Sequence, residues 1–380
     1  MKKLFVFTSF ILLTLSSVTK AEIRINGFAN LVAGYSDTDT ELFGYTDDID
    51  FSNESLFALQ LSGDITDKLS ATGQILSRGS DDFNAKFEWA YLSYAASDNI
   101  SISAGRIRLP LFLYSESLDV GYSYHWITPP NSVYAIAFNN MDGVKVTYNG
   151  YGAGWDYVLT AAYGVITNPS VPVGDGLFAS LKGENTLLLS AEMVKDSFKA
   201  RFNYGRADGT LELAAVDQIL ASFAPLAPEL ADLLAFNDDE GLFYGLSLSY
   251  DNFDWFISGE YTLNTNEDTF TPDDIAYYVT GGIRLGKFTP SLTYQKRDGE
   301  DDLKFLEELS ALAQPIQQAI APAVLGIQLN QMENWDAWTF GLRYDFSTRI
   351  ALKGEYVSNG DDINDTNDAN LFRLAVNYVF

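Results

Sequence analysis

The 380-residue chain has no cysteine and one histidine, His125. Without cysteine, neither a disulfide nor a thiolate metal site can hold the fold, although an exported chain forms disulfides readily. With one histidine, beside Trp126, the hydrolytic chemistries that rest on an imidazole base are poorly supplied, and a lone loop histidine ordinarily packs or hydrogen-bonds. Positive charge is scarce as well: 24 Lys and Arg stand against 51 Asp and Glu, for a net charge of −27. Nucleic acid is therefore not expected as a partner.

Long apolar runs are also missing, with one exception at the start. In "MKKLFVFTSFILLTLSSVTKA", Lys2 and Lys3 precede an apolar segment from Leu4 to about Val18, and the small Ala21 follows. That pattern predicts a secretory signal peptide over residues 1–21. Its loss removes three lysines and no acid, taking the net charge from −27 to −30. Beyond it no run of about 18 apolar residues occurs, which excludes a helical membrane protein. Yet 47% of the chain is hydrophobic and 14% aromatic.

The apolar residues are spread through short segments of period two. Alternation marks segments near 22–36, 53–65, 67–79, 85–97, 99–107, 140–149, 153–167, 184–194, 197–207, 240–251, 253–264, 274–286, 287–298, 333–346, 348–359 and 369–380. Every second joint is a tight turn ("DITDK", "ASDN", "NGYG", "VKDS", "DN", "GK", "ST"), and the rest are longer. An even number of strands with short turns at one end and longer loops at the other predicts an all-β, 16-stranded antiparallel transmembrane barrel over residues 22–380 in the outer membrane.

The two faces agree. In the first segment Ile23, Ile25, Ala29, Leu31 and Ala33 share one side, and Arg24, Asn26, Phe28 and Asn30 the other. Extending this parity puts eleven basic residues in the lumen: Arg24, Arg78, Lys86, Lys145, Lys199, Arg201, Arg284, Arg297, Arg343, Lys353 and Arg373. Eight acids join them: Glu54, Glu88, Asp156, Glu192, Asp254, Glu260, Asp345 and Glu355. Tyr250, Phe253, Phe288, Phe346, Tyr378 and Phe380 cluster beside tight turns, as a periplasmic girdle of rings at the membrane interface would. The segment ending at Phe380 is expected to close the barrel against the first. The alternation through Tyr378 to Phe380 also has the form of a signal read by the outer-membrane assembly machinery.

The connections differ in character. Six loop segments (37–52, 79–84, 237–240, 264–274, 298–302 and 359–368) hold 23 acids and no basic residue. They form an acidic rim suited to solvent and to lipopolysaccharide; no complete metal-binding motif is present, and no cofactor is expected. Residues 108–139, by contrast, make a long apolar and aromatic loop that is costly to expose, so it is expected to fold into the lumen and narrow it. Glu116 and Asp119 would then face Arg78, Lys86, Lys145 or Arg373 across a gap. Arg106 breaks the parity of its segment, and the chain is expected to leave the wall near Gly105 so that Arg106 and Arg108 also turn inward. Residues 210–236 and 301–329 switch to helical period with Pro at the breaks, as helical insertions in external loops.

The sixteen segments, the inward third loop and terminal Phe380 resemble the Gram-negative trimeric porins. The stretches "SLFALQLSGDITDKLSATGQILSRGSDDFNAKFEWAYLSY" and "SAGRIRLPLFLYSESLDVGYSYHWITPPNSVY" are similar to a porin-like branch of marine gammaproteobacteria. The resemblance implies a homotrimer that passes ions and small hydrophilic solutes by passive diffusion. Two departures stand out: the "PEFGG" constriction motif is absent, and the second loop, "GSDDFN", is short for latching a neighbouring subunit. The expected function is thus a porin rather than an enzyme. The alternatives are a structural or adhesive barrel and, further off, a His125-dependent hydrolase.

Overall fold

The computed structural model describes residues 23–136, 138–172, 178–266, 269–299, 302–364 and 367–380; the expected signal peptide lies outside them. Sixteen strands follow from the alternation: β1 (Ile23–Ser36), β2 (Leu56–Thr66), β3 (Leu69–Arg78), β4 (Ala85–Ala95), β5 (Ile100–Arg108), β6 (Asn140–Gly152), β7 (Trp155–Pro172) and β8 (Phe178–Lys195). The second half comprises β9 (Phe198–Glu212), β10 (Asn237–Asp251), β11 (Trp255–Asn266), β12 (Asp274–Ile283), β13 (Phe288–Gly299), β14 (Glu333–Asp345), β15 (Ile350–Asp361) and β16 (Ala369–Val379). Each pairs antiparallel with its chain neighbours, and β1 pairs with β16, so the sheet is a closed barrel. Closure leaves no unpaired backbone edge facing hydrocarbon, the condition for a sheet to cross a membrane. Strands β7 to β9 run further above the wall than the alternation indicates, because bulges between Gly164 and Ile166 and between Glu184 and Leu187 interrupt their period while pairing continues.

The seam is paired in register from Phe28↔Val379 to Ser36↔Leu371. Past it, Gly27 N donates to Phe380 O and Phe380 N to Gly27 O, both at 3.0 Å. Phe380 lies flat over Gly27: a Cβ there would stand 2.1 Å from the ring's Cζ. The ring also stacks on Tyr378 (5.5 Å between centroids) and Phe57 (6.2 Å). At the far end of the seam Asn370 donates from its side chain and backbone to Asp37, both at 2.7 Å, and these bonds hold the Asp37 carboxyl below the usual range.

Outward positions are apolar, among them Leu31, Phe57, Val144, Leu246, Phe340 and Leu374, all exposed on the side that meets lipid. Arg78, Lys145, Arg284 and Arg373 point the other way, two of them against the inner loop and Arg284 over the inward ring of Phe256 at 5.0 Å. The parity is broken in β4, where a bulge leaves Gln74 opposite Trp89 but Ile75 opposite Phe87. Glu88, the extra residue, bonds inward to Asn140, and from Trp89 onward odd positions face the lumen.

Above the external rim sit α2 (Ala214–Phe223) and α3 (Pro228–Leu233) in one loop, and α4 (Leu306–Ala311) and α5 (Gln314–Leu329) in another; the short α1 (Asn131–Tyr134) belongs to the inner loop. The first insertion breaks before Pro228, but Pro322 lies inside α5 without ending it. Leu220, Phe223, Leu230 and Leu234 pack on Leu309, Ile320, Val324 and Ile327, so the two insertions bury each other's apolar faces as one lid. Lys304 Nζ ties it to the wall and its loop through Asn266 O at the end of β11 (3.1 Å) and Thr271 O (3.0 Å).

Gly27→Val drives a branched side chain into the Phe380 ring and should cost about 1–3 kcal/mol of barrel stability. Heat-dependent gel mobility should show a smaller folded fraction and a lower transition temperature. Wild-type behaviour would mean that the ring takes no part in closing the seam.

Candidate functional site

Residues 109–139 leave the top of β5 and enter the barrel. The cause is composition: Leu109, Leu111, Phe112, Trp126, Val133 and Tyr134 form one cluster with the wall residues Met141, Ala162, Ile166, Leu188, Phe243 and Tyr278. Each large side chain among them removed from water stabilises the fold by about 1.5–3 kcal/mol, and together they offset a large part of the entropy of ordering the loop. Ring contacts orient them, Phe112 tilted on Tyr134 at 4.7 Å and Trp126 edge-on to Tyr278 at 5.5 Å.

Irregular backbone taken out of water needs partners, and the wall's charges supply them. Glu260 accepts from Leu113 N (2.8 Å) and from the Tyr134 and Tyr278 hydroxyls. Glu355 accepts from Ile127 N (2.7 Å), and Lys353 donates to Gly121 O and Trp126 O. Arg343 donates to Tyr122 O (2.6 Å) and Tyr124 O (2.7 Å), Arg201 to Phe112 O, and Asn203 to Leu111 O (2.7 Å). Ser132 N donates to Gln295 (3.0 Å) and Asn30 donates to Asp119 O (2.9 Å). The loop is thus fastened to β1, to β9 and to strands from β11 to β15.

The residues singled out by sequence separate into four groups. Asp119 reaches the wall in direct contact, at 2.8 Å from Arg78 and bonded to Arg108, with Glu88 at 3.4 and 3.3 Å from the same two guanidiniums; the expected gap is closed at this point. Glu116 behaves differently: its side chain is 63% exposed and stands 3.4 Å from Arg201, which is itself held by Glu192 at 2.6 Å. Lys145 feels the charge of Glu116, and among the described residues it is the one inward basic side chain of the eleven with neither an ion pair nor a hydrogen bond. Arg373 is buried between Glu54 (2.5 Å) and Glu355 (2.6 Å) and holds Thr128, facing neither Glu116 nor Asp119.

Two expectations are corrected. Arg106 does not turn inward: it lies opposite Ala90 and Asp142 on the outer face and pairs with the Asp142 carboxylate in two bonds of 2.9 Å. The chain turns in one residue later, at Ile107 and Arg108, both buried. Lys86 sits at the external rim, 67% exposed and 2.5 Å from Asp81 in the 79–84 loop, away from the inner loop. His125 is buried between Trp126 (3.9 Å) and Phe256 (4.5 Å), with Nε2 3.1 Å from Thr280 Oγ1. Among the described residues no group of three His, Asp or Glu could hold a metal ion.

The anchoring roles of Arg201, Glu260, Arg343, Lys353 and Glu355 were not foreseen. Parity had placed all five in the lumen, but their partners are loop carbonyls and amides, which no side-chain pattern announces.

A family model for Gram-negative porins matches residues 8–371. No curated sequence matches significantly. Solved structures that resemble the fold include the outer-membrane channel DcaP of Acinetobacter baumannii (13% identity, 95% of this chain and 97% of that one, TM-score 0.58). OmpF of Salmonella typhi, in complex with daunomycin, is similar at 13% identity over 95% and 98% of the two chains, TM-score 0.58. The trimer form of OmpT, an outer-membrane protein of Vibrio cholerae, matches at 12% identity over 95% and 99%, TM-score 0.56. A closed sixteen-strand barrel with a greasy exterior, a loop folded into its lumen and this family match together place the chain in the Gram-negative porin family, as an outer-membrane channel for passive diffusion of solutes.

Proposed function

We propose that solutes pass between Glu116 on the inner loop and the wall at Lys145, and that this pair sets ion preference. One observation carries the reading: the loop is bonded to the wall along most of its course, whereas Glu116 is 63% exposed and reaches the wall only through Arg201 at 3.4 Å, and Lys145 has neither an ion pair nor a hydrogen bond among the described residues. Opposed fixed charges across an aqueous gap make a transverse field that favours small hydrophilic solutes. Asp119 and Glu88 together neutralise Arg78 and Arg108 in contact, and this cluster serves as a clamp for the loop. Burial of His125 between two rings supports a channel over a hydrolase.

The homotrimer is proposed through the outer face from β2 to β5. Outward rings pair between neighbouring strands from β9 to β16, as in Tyr204 with Tyr244, Tyr294 with Trp338 and Tyr356 with Phe372. Over β2 to β5 small outward residues (Gly63, Ala71, Gly73, Ala90, Ala104) lie between Leu61 and Leu92 and open a groove of about 560 Å³ beside the Arg106 and Asp142 pair. Small residues permit close approach of a second wall, and an outward ion pair is better placed against protein than lipid. The acidic rim supports contact with lipopolysaccharide through divalent cations, and the stacked Tyr378 and Phe380 support recognition by the assembly machinery.

Purified protein in planar bilayers should conduct in steps grouped in threes. Glu116→Gln should move the reversal potential in a salt gradient toward anions, and Lys145→Gln toward cations, each changing the permeability ratio roughly five-fold, as about 1 kcal/mol at close range implies. If neither variant shifts it, the passage lies elsewhere; if no steady current flows, the adhesive alternative stands. Ala90→Trp should fill the outer groove and yield folded monomers on native gels, with conductance in single steps. A persistent trimer would move the interface off β4.

A further inference from the structure

We propose that the vestibule above the inner loop is a binding site for neutral solutes with an apolar body, such as small aromatic alcohols. The cavity measures about 750 Å³, within the range of ligand pockets. Its floor is the returning limb of the inner loop with Leu109, Leu111, Val133, Ile136 and Phe138. Ile166, Leu181, Leu188 and Phe243 form the wall, and Leu211 and Phe236, at the root of the helical lid, continue it outward.

What decides the ligand class is that the charged groups described around this space are already paired. Arg297 is held by Asp274 (3.0 Å) and Glu333 (3.1 Å), and Lys182 by Glu184 (2.6 Å). Arg206 is held by Glu240 (2.5 Å) and Asp208 (3.1 Å). The hydroxyls are satisfied by backbone: Thr262 donates to Ala276 O (3.3 Å), Thr186 to Gly183 O (3.1 Å) and Ser132 to Tyr277 O (3.2 Å). Among the described residues an ion entering finds no unpaired counter-charge, and a polyol finds few groups that would trade their existing bonds. An apolar body gains contact and releases water that such walls hold poorly. The amides of Asn330 and Gln331, at the cavity's edge, offer a place for one hydroxyl. This differs from the charged passage at Glu116 and gives the protein a second, charge-blind selection step. Its role in uptake rests on the channel reading.

The test uses the full barrel in planar bilayers with benzyl alcohol as probe and glucose as the polar comparison. Benzyl alcohol added on the external side should reduce the ion current saturably, and glucose at equal concentration should not. Ile136→Asn, and independently Leu181→Asn on the wall, should each raise the half-blocking concentration about ten-fold, the loss expected for a polar atom set in an apolar pocket. Equal block by glucose, block that does not saturate, or block unchanged in both variants overturns the proposal. Saturation-transfer NMR of benzyl alcohol with the protein in nanodiscs, repeated with both variants, decides the site without any current. An absent current together with variant-sensitive binding would instead count against the channel and leave the site standing.

Discussion

The arrangement inside this barrel depends on buried wall charges that are satisfied by the backbone of a loop. Lys353, Arg343, Glu260 and Glu355 are covered where the inner loop packs on the wall, and the loop, lacking regular structure for most of its length, has amides and carbonyls that also need partners. Each deficit cancels the other. Removing one member would strand a charge or a peptide group away from water, a loss of about 1–3 kcal/mol for a neutral group and more for a charged one. The apolar cluster supplies the bulk of the burial energy, but these directional bonds decide which path the loop takes across the cylinder.

That division explains how the lumen serves two purposes at once. Most of its charge is structural, consumed in holding the loop or in neutralising neighbours, as with Arg373 between two glutamates. A count of inward basic and acidic residues therefore says little about ion preference. What remains to act on solutes is the small set at the margin of the network: Lys145, and Glu116, which is 63% exposed and held to Arg201 by one long contact of 3.4 Å. The same economy holds above the loop, where paired charges leave a largely apolar vestibule.

The barrel was legible in the sequence because strand period, turn length and face chemistry all report the same object. Alternation marks a strand when one side meets lipid, and the tight joints at "NGYG" or "GK" set direction without any long-range information. Legibility failed where the period slips. The Glu88 bulge shifts parity within β4, and Arg106 on β5, read as an anomaly to be turned inward, is an outward residue with a partner on β6. Inside the lumen, sequence named the loop that folds inward. It could not assign partners, since Asp119 choosing Arg78 and Arg108 over Lys145 is a matter of path, and path is fixed by contacts between segments far apart in the chain.

Those separations bear on the order of assembly. The loop's anchors on β14 and β15 lie more than two hundred residues downstream: Arg343 Nη1 binds Tyr122 O across 221 positions, and Lys353 Nζ binds Gly121 O across 232. During synthesis and export the greasy segment exists long before the strands that will receive it. Contacts of such high sequence separation form late, after much chain entropy has been lost. Through that interval the aromatic ribbon has no receiving wall, so the interior of the tube can be completed only once its last strands are in place.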